Sequence, residues 1–157
     1  MADTEAASYL LLEELADRVR GITRANGFMT DLGLNPVVLD DDTLDDDRPG
    51  TVIEAGLVTT TSSSAAAVNF DMDIVVEFSV KRDGAAGDEQ GKRHMHRALL
   101  DLARALLIKP RDLPTCVRGF EQTGAQLATG ADDAGATFLV AQVTARAGLT
   151  QIHQPAT

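Results

Sequence analysis

The chain has 157 residues, an apolar fraction of 44% and a formal net charge of −10 at neutral pH. That length suits one domain able to remove roughly two thirds of its unfolded surface from water. With 4% aromatic residues and no tryptophan, its core must be built from Leu, Val, Ile and Ala. The acidic balance opposes nonspecific binding to DNA or anionic lipid, which needs clustered Lys and Arg, and no run approaches the ~20 apolar residues of a membrane-spanning helix.

Leu12, Leu15, Val19 and Ile22 recur at three- and four-residue steps and predict an amphipathic helix from about Glu5 to Arg24. Leu10-Leu11-Leu12 is too short and too acid-flanked for a signal peptide, so the chain is expected to stay where it is made. The stretch Gly21 to Gly33, GITRANGFMTDLG, then reads as a corner. Asn26-Gly27 can take the left-handed conformation that stops a helix, and the Asp31 side chain can close a local turn onto nearby backbone. A short strand, Val37 to Leu39, follows. Asp40 to Asp47 places six aspartates in eight residues, a self-repelling run held in solvent.

A β-branched strand is predicted from about Thr51 to Thr60, with Ser62 to Ala67 as a hairpin tip. The next strand alternates without exception: Val68, Phe70, Met72, Ile74, Val76, Phe78 and Val80 face one side, and Asn69, Asp71, Asp73, Val75, Glu77 and Ser79 the other. Arg82 to Gly87 reads as a loop. A second helix is expected from Asp88, as N-cap, to Leu107, with Met95, Leu99, Leu102 and Leu106 as its buried stripe. Lys92, Arg93, His96, Arg97 and Arg104 give much of its remaining surface a basic character, with Glu89–Arg93 and Arg97–Asp101 spaced to pair. Two more strands, about Thr115 to Leu127 and Ala136 to Ala147, close a single domain over residues 1–147. Residues 148–157 read as a C-terminal tail, ordered only if a partner holds it. The order α-β-β-β-α-β-β predicts an α+β fold: an antiparallel sheet of about five strands with two helices on one face.

His94 and His96 lie about 200° apart on a helix and cannot share one metal ion, which needs ligands three or four residues apart. The aspartate run fits neither register of a calcium-binding loop: from Asp41 the sixth and twelfth positions are Asp46 and Val52, and from Asp45 the twelfth is Gly56. Gly84-Ala85-Ala86-Gly87 lacks the Lys-Ser/Thr of a phosphate loop. The single Cys116 has no neighbouring base and is expected to be a buried structural thiol in a reducing compartment. No catalytic residue, metal or cofactor is expected, and the chain reads as a non-enzyme.

Three stretches together carry a resemblance: the Gly21–Gly33 corner, the helix Leu99-Leu100-Asp101-Leu102-Ala103-Arg104-Ala105-Leu106 with its Pro-containing loop, and the closing Thr123-Gly124 … Asp132-Asp133 … Ala141-Gln142-Val143-Thr144 hairpin. With the element order, they resemble the tail-terminator (minor tail) proteins of long-tailed bacteriophages over nearly the whole chain. The Asp40–Asp47 run departs from the family in being more charged than the corresponding loop. The resemblance implies a virion structural protein, assembled in the host cytoplasm and located at the head-proximal end of the tail. There six copies form a hexameric ring on the tail tube protein, stop tube polymerisation and provide the surface for head-tail joining through a neck protein. Rival readings are a neck or head-completion connector and, from another class, a soluble adaptor binding a peptide along a free sheet edge.

The charge contrast within the chain suggests how such a ring is made. Subunit contacts are expected between the hairpin around Thr59, Ser62 and Asn69 and the basic helix face of Arg93, Arg97 and Arg104. DNA must pass through the bore without specific binding, so acidic side chains are expected to line it. The candidates are Asp71, Asp73 and Glu77 on the rigid strand face, or the Asp40–Asp47 loop.

Overall fold

The computed structural model describes residues 5–40, 49–81, 84–131 and 137–153, with the backbone alone at 84–89 and 131. The elements in chain order are α1 (Ala7–Arg20), β1 (Val37–Leu39), β2 (Gly50–Ser63), β3 (Ala67–Lys81), α2 (Gly84–Ala105), β4 (Val117–Ala131) and β5 (Thr137–Ile152). The expected α+β class and element order are both found. The sheet runs β1-β2-β3-β5-β4, and every neighbouring pair is antiparallel except β1 with β2. That one pair corrects the all-antiparallel expectation: Val37–Leu39 lie parallel to Thr51–Ile53, so the sheet is mixed. The aspartates of Asp41–Asp47 lie outside the described residues.

Both helices pack on one face of the sheet because only that face is apolar. Met72, Ile74, Val76 and Phe78 of β3 are fully buried against Leu11, Leu15 and Val19 of α1 and Met95, Ala98 and Leu102 of α2. On β5 the buried set is Leu139, Ala141, Val143, Ala145, Ala147 and Leu149. Its alanines leave room for the helices to approach the sheet. Phe70, Val80 and Leu99 are only partly buried at the margin of this core.

Element lengths decide what remains uncovered. At ~3.3 Å per residue the 15-residue β3 spans about 50 Å, whereas the 14-residue α1 at ~1.5 Å per residue spans about 21 Å. The helices therefore leave part of the long strands uncovered. On β2, burial stops after Ile53, and every residue from Glu54 to Ser63 is exposed.

Several element boundaries differ from the expectation, two of them at the helices with a clear local cause. The first helix ends at Arg20, before Arg24, because the Gly21 amide bonds back to the Asp17 and Arg18 carbonyls and the chain turns. The second starts at Gly84 within the expected loop, which places Asp88 inside the helix instead of at its N-cap; Ala85 and Ala86 favour this extension as strong helix formers.

The expected tail from Gly148 is corrected as well. β5 continues to Ile152, paired with Ala67–Asp71, and Leu149 is fully buried. Gln151 supplies the cap that Ala6 cannot: its Oε1 accepts from the Ala7 amide at 2.6 Å. The alternating pattern of Ala145, Ala147 and Leu149 continues the strand on packing grounds alone.

Leu102 sits fully buried where α2 meets the sheet, so Leu102→Ala is expected to cost about 2–5 kcal/mol in urea unfolding. Phe70→Ala, at the half-covered margin, is expected to cost less. Equal losses would mean that the sheet beyond the helices is covered in solution.

Candidate functional site

The corner after α1 is closed by side chains at fixed offsets. Asn26 Nδ2 donates to the Gly21 carbonyl at 2.8 Å, and Thr23 Oγ1 accepts from the Asn26 amide at 3.3 Å. Gly27 then reverses the chain with φ 88°, as expected of Asn-Gly. Asp31 Oδ1 accepts from the Arg24 amide at 2.8 Å, the local closure expected of it. Gly33 donates to the Ile22 carbonyl at 2.9 Å, and a Cβ there would stand 2.4 Å from the Val19 carbonyl oxygen. Only glycine fits this close approach of backbone to helix end.

The corner is fastened to α2 by Asp101, which is 1% exposed. Its Oδ1 accepts from the Met29 amide at 3.1 Å, and its Oδ2 accepts from the Thr30 amide at 2.8 Å and the Thr30 hydroxyl at 2.7 Å. Three donors compensate a buried carboxylate that would otherwise be costly. The expected Arg97–Asp101 pairing is thus replaced by a long-range clasp. One turn on, Arg104 Nη1 donates to the Gly27 carbonyl at 2.9 Å, and the guanidinium lies 4.7 Å from the Phe28 ring centroid. Sequence spacing pairs Asp101 with Arg97 and gives Thr30 no role; the one local signal is an acid set between Leu100 and Leu102.

The expected basic face is therefore divided. Arg104 is spent on the corner, while Arg93 and Arg97 are exposed a turn apart. The Glu89 side chain, expected to pair with Arg93, lies outside the described residues. On another side of α2, Lys92, Met95 and His96 join Leu127, Thr129 and Leu139 around a groove of about 430 Å³.

The helix-free face of the sheet carries the expected acids, Asp71, Asp73 and Glu77, each partly buried among its neighbours. Asp73 is 3.8 Å from Arg146, and Glu77 accepts from the Gln142 amide group. Asp71, Arg118, Glu121 and Arg146 line one shallow hollow of about 310 Å³. The wall is thus a polar lattice with arginines among its acids.

At the hairpin, Asn69 Nδ2 donates to Ser62 Oγ at 2.9 Å, and Asn69 Oδ1 accepts from Thr150 Oγ1 at 2.6 Å. Thr59 stands opposite Asp71. Sequence reading overlooked the two large apolar residues just before it, Leu57 at 69% and Val58 at 51% exposure.

Among the described residues, no group of three or more His, Cys, Asp and Glu side chains converges to hold a metal ion. Cys116 is half-buried, not fully buried as expected; desolvation raises its pKa, and its Sγ is 4.0 Å from the Ala7 carbonyl. His94 is an exposed residue, yet its ring lies edge-on to Phe78, with centroids 6.2 Å apart. This desolvation, with the nearby Arg24 and Arg97 charges, lowers its pKa, and Asp101 partly opposes the shift.

Asp101→Ala leaves the Met29 and Thr30 amides without their acceptor. The expected loss is on the order of 3 kcal/mol, with hydrogen exchange accelerating at Thr30 more than in β3. For His94, a depressed folded pKa means that the unfolded chain takes up the proton first. Stability should therefore fall as pH drops below the ordinary 6.5. A His94→Gln variant should lose less over that range, read from urea midpoints; an equal loss would contradict the assignment. In comparisons with known proteins, no protein-family model matches the chain, and no curated protein matches it.

Proposed function

We propose that this protein is a virion structural protein of a long-tailed bacteriophage, forming a hexameric ring at the head-proximal end of the tail tube. In this reading it ends polymerisation of the tube protein and offers the surface that a neck protein joins. Its partners are copies of itself, the tube protein and the neck protein. It works as a structural component, with no catalytic step.

The observation that carries this reading is the two-faced sheet. One face is buried under both helices, and the other is a long polar wall bearing Asp71, Asp73 and Glu77. A wall of that kind suits the inside of a channel. Its acids Glu54, Asp71, Asp73, Glu77 and Glu121 outnumber its bases Lys81, Arg118 and Arg146, so a passing polyanion is repelled more than held. The resemblance supports the same reading, since its corner and its second-helix motif are the two halves of the Asp101 clasp.

One feature favours a second reading. β4 is the outermost strand of the sheet, exposed from Thr123 to Thr129, and an extended peptide could add there in an adaptor. Virions assembled without this protein separate the alternatives. Overlong tails seen by negative-stain imaging are the expected result. Headless tails of normal length would point to a neck connector, and normal virions would remove the protein from the tail altogether.

A further inference from the structure

The two ends of the sheet are unequal to the rest of the protein in one respect: among the described residues, neither is protected. β1 covers β2 only at Thr51–Ile53, and among the described residues nothing pairs with the outer side of β2 beyond Ala55. At the far end β4 has β5 on one side only. Exposed edges are usually blunted by charge, proline or brevity. Here residues 54–63 carry a single charge, Glu54, and no proline, while residues 123–130 carry neither charge nor proline.

We propose that the β2 edge of one copy adds to the β4 edge of the next copy, antiparallel and head to tail. This rests on the ring reading above and names the contact that would build it. Direction makes the pairing possible. The long strands β2, β3, β5 and β4 alternate, so β2 and β4 run antiparallel to each other. Rotation about an axis lying along the strands preserves their direction. The β2 of one copy therefore meets the β4 of its neighbour antiparallel, and the step repeats around a closed ring.

Side-chain chemistry matches on both faces. Val58 stands opposite Met72, and Leu127 opposite Ala141, so both lie on the helix side of the sheet. Leu127 borders the groove under Met95 and Leu139, which is apolar with Lys92 and His96 at its rim. An added β2 edge brings Val58 to this groove and gives that exposed apolar residue a place to be buried. On the opposite side, with Val58 beside Leu127, Thr59 meets Gln126 and continues the polar wall.

The test uses the full chain and two variants, Val58→Asp and Leu127→Asp, at positions exposed enough to keep the fold, which circular dichroism checks. Native mass spectrometry and sedimentation at rising concentration read the assembly. The wild type should form closed rings and each variant should stay monomeric. An equimolar mixture of the two should give a dimer and nothing larger, because each copy keeps one intact edge of the opposite kind. Thr60→Lys with Ala125→Lys, both on the helix side, replaces the pair if either first variant loses its fold. Variants that still form rings, or a mixture that forms no dimer or grows beyond one, overturn the edge pairing. A wild-type hexamer alongside such variants leaves the ring reading standing. Edge-dependent chains that never close support the pairing and remove the ring. A wild type monomeric at every concentration, with or without an extended peptide on β4, overturns both.

Discussion

The buried carboxylate of Asp101 joins two parts of the chain that would otherwise have little reason to stay together. α1 and α2 touch each other sparingly, and each is held mainly by the sheet. Between them runs the corner from Gly21 to Gly33, an irregular segment whose backbone polar groups must be satisfied somewhere. Asp101 takes the Met29 and Thr30 amides, and Arg104 takes the Gly27 carbonyl. The placement of β1, and with it the inner end of β2, depends on this fastening. Gly33 adds a steric condition, because its backbone lies where any side chain would strike the end of α1.

A mismatch of length shapes the rest. Long strands extend past short helices, so the same sheet that forms the core also leaves a section that none of the described residues covers on either face or at its edge. Hydrophobic burial is proportional to area, and β2 beyond Ile53 contributes little to it in the isolated chain. Its hairpin is held by pairing with β3 and by side-chain bonds such as Asn69 to Ser62 and Thr150. A segment so lightly used by its own fold is where an assembly contact costs least to place. The helix-free face tells a related story in electrostatic terms. Asp71, Asp73 and Glu77 are spaced along one strand with arginines from neighbouring strands between them, so the wall is negative without being strongly self-repelling.

Much of the fold was legible because periodicity reports burial directly. Val68 to Val80 alternates cleanly, and the structure buries the middle of that run while leaving its ends half-covered. The Asn-Gly reversal and the Asp31 closure were readable too, since both are local and set by a few neighbouring residues. Past Gly148 the strand keeps one packing signal, Leu149, among residues such as Gly, Thr and Gln that suit a tail equally well. Its partners lie about eighty residues away in β3, at Ala67 to Asp71, and at the start of α1. For the same reason Arg97 was given the Asp101 carboxylate: along one helix they are neighbours, and nothing local announces that the acid turns instead to the corner.

By itself the sequence determined the order of helices and strands but not all their ends, which strand face is apolar, and that the second helix bears a basic surface in an acidic protein. These follow from side-chain size, branching and spacing, all local quantities. Only the tertiary structure decided how the basic residues are used, separating Arg104 from Arg97. It alone placed β5 between β3 and β4, turned β1 parallel to β2, and exposed the β2 and β4 edges. Those outcomes depend on which distant groups meet when the core closes. A buried carboxylate must find donors wherever the fold brings them, and a strand becomes an edge only when every other strand has taken its neighbour.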